Sequence, residues 1–117
     1  MNLLFLNGLS YYTLPSYFFI ITKGKSIRSS NDGMAWHHIV EQNADNIAKF
    51  GAEKIHNTKN LIKLPHRKGS IHAKVSGYYS SIYQNTGMRV RDYVNTLSYD
   101  EQYKFGIEIL KRFGWKP

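Results

Sequence analysis

Trp36-His37-His38-Ile39-Val40-Glu41-Gln42 is the stretch on which the reading of this chain turns. Residues 36–40 form a short run with a β-branched end and predict a strand. Neighbouring side chains on a strand point to opposite faces. Two adjacent histidines therefore cannot serve one ligand sphere in the same way. One can face a metal while the other faces a substrate beside it. Downstream, Asn57-Thr58-Lys59-Asn60 leads into residues 61–64, an alternating run closed by Pro65 that suits a strand end. Residues 70–83 place Ile71, Val75, Tyr78 and Ile82 on one face and predict an amphipathic helix. His72, one step from Ile71, falls at the edge of that buried face. The order is a strand with His-His, an Asn and a strand, then a helix with a third His.

Composition narrows the chemistry around this order. The chain has 117 residues, no Cys and five His. Disulfide frameworks, thiol chemistry and Cys-ligated zinc fingers are excluded. A metal here must be held by His, Asp, Glu or Asn. Sixteen Lys and Arg against eight Asp and Glu give a net charge of +8. Such a balance favours a polyanionic partner, nucleic acid before an anionic membrane surface. From residue 23 to 75 there are ten basic residues against four acids. A basic run is most often a solvated face, but these bases flank the histidines, where phosphate contacts would be needed.

The rest of the chain reads as follows. Residues 1–32 are an apolar start followed by a basic arm, and residues 33–117 form the domain proper. Within the start, residues 3–6 and 17–21 read as two short apolar elements joined by a turn-rich stretch. No Lys or Arg precedes Lys23, unlike a secretory leader, and Asn7, Gly8, Pro15 and Ser16 interrupt any membrane span. No stable membrane span is expected. A membrane-association role for residues 1–22 is the competing reading. Residues 23–33 read as a polar, basic loop or arm. Residues 43–50 predict a short helix stopped by Gly51, and residues 89–96 a second one after the break at Gly87. Ser98 and Glu101 form a capping box. The helix it opens is expected to bury Tyr103, Ile107 and Leu110 and to end near Gly114.

Three blocks, 36–42, 55–62 and 71–79, together resemble the HNH, or His-Me finger, nuclease superfamily. Within it the chain is similar to the nuclease domains of bacterial polymorphic toxins, in the branch with a Trp-His-His or Ala-His-His signature. The resemblance covers roughly residues 33–113, with Arg89, Arg91 and the final helix. It implies an α+β fold: a small ββα-metal core with additional C-terminal helices. It implies one divalent metal ion, Mg, Mn, Zn or Ni. By position, His37 and His72 would be metal ligands, His38 the general base, and Asn60 the residue that orients His38 or pins its loop. The chemistry suits these residue types. Phosphodiesters need a cation to neutralise them, and a neutral imidazole is a base fit for neutral pH. Related toxins often carry an extra His four residues before the helix His; here His66 precedes His72 by six. His66 is thus a third metal ligand or a phosphate-contacting surface residue beside Arg67 and Lys68.

The resemblance implies a metal-dependent endonuclease, on DNA rather than RNA, leaving 5′-phosphate and 3′-hydroxyl ends. It would be the toxin module of a secreted or delivered effector, acting in the target-cell cytoplasm and countered by an acidic immunity protein. Arg67, Lys68 and Lys74 are the expected nucleic-acid contacts. An RNase with the same site and a non-catalytic, metal-stabilised nucleic-acid-binding module are the alternatives. Residue by residue, other readings stand beside these. Tyr78 and Tyr79 read as packing rather than base-stacking residues. Glu41 reads as a metal ligand, a helix cap or a hydrogen-bond partner of a His. His56 reads as a packing or capping residue.

Overall fold

The computed structural model describes residues 33–117 with their side chains, and before them the backbone of three strands. Those strands, β1 (Asn2–Leu6), β2 (Leu9–Leu14) and β3 (Tyr17–Ile21), make an antiparallel sheet in the order β1-β2-β3. The turn-rich stretch expected between two apolar elements thus contains a strand of its own. Its residues, Leu-Ser-Tyr-Tyr-Thr-Leu, carry β-branched and aromatic types that favour strands. The breakers Asn7-Gly8 and Pro15-Ser16 bound that run and do not interrupt it. The basic arm expected over 23–33 lies, but for Gly33, outside the described residues.

From Gly33 onward the chain is a mixed α/β domain with a two-stranded antiparallel sheet and several helices. Strand β4 (Met34–His38) pairs with β5 (Leu61–Pro65), with His37 opposite Ile62 and His38 opposite Leu61. The strand expected at 36–40 is shifted, because the ladder ends at His38. Ile39 and Val40 turn into the core, 3% and 1% exposed. Asn60 takes over the Val40 backbone, donating from Nδ2 to its carbonyl and accepting from its N–H.

Between the strands lie α1 (Ala44–Phe50), the short α2 (Ala52–Ile55) and a 3-10 turn over Thr58–Asn60. Asn43 caps α1 by accepting from the Asn46 N–H, and Gly51 ends it at φ 88°. Helix α3 (Ile71–Ser80) starts on Ser70, whose Oγ accepts from the Ala73 N–H. It stops short of the expected Tyr83. The Ser81 hydroxyl bonds the Tyr78 carbonyl, a local competitor of the helix ladder. The chain then extends, and Ile82 bridges antiparallel to Arg89. Ile82, expected on the buried face, is 56% exposed, and Tyr79 is buried in place of Tyr78.

Helix α4 (Val90–Val94) and helix α5 (Tyr99–Arg112) close the domain. The capping box forms as expected, with Glu101 N–H on Ser98 Oγ and Ser98 N–H on Glu101 Oε1. The buried phase of α5 is Gln102, Gly106, Ile109 and Leu110; Tyr103 and Ile107 sit half-buried at its edges. Ile39, Leu64, Val75, Tyr79, Val90, Val94, Ile109 and Leu110 form one core between the strands and α3, α4 and α5. Among the described residues no helix is long and apolar enough to cross a membrane.

Two contacts fix the segment after the histidines. Asn46 and Gln102 exchange side-chain amide hydrogen bonds of 3.1 and 3.0 Å, and Asn46 also donates to the Glu41 carbonyl. Gly106 lets α5 approach closely, since a Cβ there would lie 2.7 Å from the Ile39 carbonyl oxygen. Ala in a helix interior ordinarily stabilises by up to about 1 kcal/mol over Gly. Here overpacking against backbone wins, so Gly106→Ala is expected to destabilise by roughly 1–3 kcal/mol. A urea-unfolding midpoint at or above that of wild type would contradict the close approach.

Candidate functional site

The end of β4 delivers two imidazoles to two different neighbours. The His37 ring meets His72, at the first turn of α3, with centroids 5.5 Å apart and planes nearly perpendicular. His38 is buried, and its Nε2 lies 3.1 Å from Nδ1 of His56. A cavity of about 340 Å³ is lined by His37, His38 and His72 together with Trp36, Glu41 and Arg91. A second, of about 480 Å³, is lined by His66, Arg67, Lys68 and His72. His72 and Ser76 line both, so the two cavities adjoin.

Asn60 is the residue that brings these groups together. Besides its two bonds to Val40, its Nδ2 donates to the Ile55 carbonyl. One fully buried amide therefore ties the residue two past His38 to the residue just before His56. Of the two expected roles, Asn60 pins the loop; the ring partner of His38 is His56. That residue reads in the sequence as a packing or capping residue, and it does cap α2, its backbone N–H bonding the Ala52 carbonyl. Its nearest signal is place: it lies four residues before the Asn that clamps the two segments.

Burial sets the charge state. His37 is held down to about 4, first by burial and then by the neighbouring His72. His38 is held down to about 3 by burial, then by His56 and His37. Burial also lowers His56, and burial with the His66 ring lowers His72. These four rings are therefore neutral imidazoles at neutral pH.

Among the described residues Glu41 caps no helix and bonds no histidine; its side chain pairs with Arg91. Its carboxylate accepts from Arg91 Nε and Nη2 at 2.9–3.0 Å, and Arg91 also donates to Ser80 Oγ. The partner comes from α4, 50 residues away, beyond the reach of local pattern. This pair forms one wall of the histidine cavity. Arg67 and Lys68 are exposed and line the second cavity; Lys74 is exposed on α3 and lines neither.

The ring contacts run His37–His72 and His72–His66, the latter with centroids 5.1 Å apart. Among the described residues no three His, Asp or Glu side chains are already gathered as a metal-holding group. Two imidazoles on one tetrahedral metal, with metal–nitrogen bonds near 2.1 Å, hold their centroids about 5 Å apart. His37 and His72 meet that spacing, and so do His66 and His72. An all-imidazole donor set would suit zinc or nickel rather than magnesium.

These features define a small mixed α/β domain built around a histidine-lined cavity. No family model matches the chain, and neither a curated protein nor a solved structure does.

Proposed function

We propose that this chain is a metal-dependent endonuclease of the HNH, or His-Me finger, type, with β4, β5 and α3 as its ββα core. The observation that supports the reading most is the double pairing at the end of β4. His37 meets His72, a ligand pair, while the adjacent His38 meets His56, a base and its partner. In this reading His37 and His72 hold a divalent ion, with His66 as a third ligand from the loop before α3. Such an ion supplies the charge neutralisation that a scissile phosphate needs.

His38 accepts the proton of the attacking water at Nδ1, the ring nitrogen not bonded to His56. For that, Nε2 must carry its hydrogen and donate it to His56 Nδ1, which sets the tautomer. Asn60 is a positioning residue that holds both segments in register. Arg67 and Lys68, beside the cavity, contact the phosphate backbone, so base specificity is slight and affinity falls with salt. The +8 charge suits nucleic acid and, in a producing cell, an acidic inhibitor protein.

Plasmid nicking tests the proposal. Added Mg²⁺, Mn²⁺, Ni²⁺ or Zn²⁺ should support conversion of supercoiled to open-circular DNA, and chelator should abolish it. Cutting that survives chelation rejects the metal mechanism. Parallel digestion of total RNA reads which nucleic acid is preferred.

A further inference from the structure

We propose that Trp36 is a stacking platform for a nucleobase at the mouth of the histidine cavity. The preferred substrate would then carry an unstacked base, as a single strand does. The inference rests on the nuclease reading of this same cavity and names its substrate class.

Among the described residues three large apolar side chains are exposed: Trp36, Ile82 and Met88. A lone exposed apolar residue is ordinary. Trp36 differs by its place. It is 38% exposed, sits two residues before His38 on β4, and lines the cavity with His37, His38 and His72. Among the described residues, Tyr99 and Tyr103 line a different cavity with Lys54 and Lys59, one that no histidine lines, and most other rings are spent on packing. Tyr78, Tyr79 and Phe105 lie against one another, Tyr83 stacks on Tyr93, and Trp115 packs against the core.

Across the ladder, Lys63 opposes Trp36 and carries its ammonium over the indole, 5.8 Å from the ring centroid. An ammonium engages only one of an indole's two faces. An aromatic face beside a cation is the pair a nucleotide calls for, a π surface for the base and charge for the phosphate. Within a duplex, both faces of every base are covered by neighbouring pairs. A base reaches Trp36 only from a single strand, a frayed end or an unpaired stretch.

The test is binding with chelator present, so that nothing is cut. Intrinsic tryptophan fluorescence is read while a short single-stranded DNA, the same sequence as RNA, and the DNA duplex are added. Quenching by a single strand is expected, and it should vanish in Trp36→Phe, where Trp115 is the remaining indole. Affinity for the single strand, followed by electrophoretic mobility, should fall about tenfold or more in Trp36→Ala and largely return in Trp36→Phe. Duplex affinity should change little in both variants.

Single-strand affinity in Trp36→Ala equal to that of wild type overturns the platform. So does a duplex that binds more tightly than either single strand. With metal restored, wild-type cutting alongside an unaffected Trp36→Ala variant would sink the platform and leave the nuclease reading standing. Failure of the wild type to bind any nucleic acid would sink both.

Discussion

Replacing His38 by Ala should lower the cutting rate by about 10²–10⁴-fold, the usual worth of a positioned general base. Metal affinity should stay near that of the wild type, because His37 and His72 are untouched. The fold should survive, at a cost near 1–3 kcal/mol for the His56 nitrogen left without this partner in a buried place. Far-UV circular dichroism and a melting curve separate that cost from lost chemistry. His56→Ala offers the sharper comparison. It leaves the base in position but removes the acceptor that holds the His38 tautomer, so a smaller loss is expected, roughly tenfold. The pH–rate profile of His56→Ala should shift as well, because the environment of His38 has changed. His37→Ala should instead lose metal affinity itself, which titration calorimetry reads directly. A His38→Ala variant that cuts at the wild-type rate would remove His38 from the mechanism and return the cluster to a structural role.

How far the sequence discloses this site depends on the range of each interaction. The capping box at Ser98 and Glu101 needs only four consecutive residues, and it forms as its pattern predicts. Helix α1 is likewise legible, because Asn43 and Gly51 mark its two ends within one short window. The partners inside the cavity are another matter. His38 and His56 are 18 residues apart, and the Asn60 clamp ties their segments together. Glu41 meets Arg91 across 50 residues, so neither sequence neighbourhood betrays the pair. Helix α3 shows the opposite failure. Its apolar spacing runs on to Ile82, while the Ser80-Ser81 pair and the bridge to Arg89 have already ended the helix. Periodicity marks the face a helix could bury, and hydrogen bonding decides where it stops. In α5 Leu110 is buried as its spacing predicts, but the centre of the buried face departs from the apolar pattern for a related reason. Gly106 and Gln102 face inward because one allows close backbone approach and the other finds the Asn46 amide, and neither is an apolar signal.

The buried imidazoles make the metal-free fold sensitive to acid. In the unfolded chain each His titrates near its ordinary value of 6.5, but the folded values fall to about 4 for His37 and about 3 for His38. Above pH 6.5 both states hold these rings neutral, and the rings contribute no pH dependence. As the pH falls below 6.5 the unfolded chain binds protons that the folded chain refuses, so stability must drop. The drop continues until the folded rings titrate in turn, near pH 4 and pH 3. At pH 5 the loss relative to pH 7 should be about 2 kcal/mol for each ring. For a domain of this size that is a large share of the total stability. Urea unfolding at pH 7 and pH 5 in chelator measures it. Glu101 adds a separate step at lower pH, because its hydrogen bond to Ser98 holds its carboxyl below the usual range. The double variant His37→Gln, His38→Gln keeps polar side chains of similar reach but removes these two titrating rings, so the drop between pH 7 and pH 5 should shrink. His56 and His72, also held below their ordinary value, supply what remains. Wild-type stability that stays flat across that interval would mean the rings are open to water, and the burial that keeps His37 and His38 neutral would not exist.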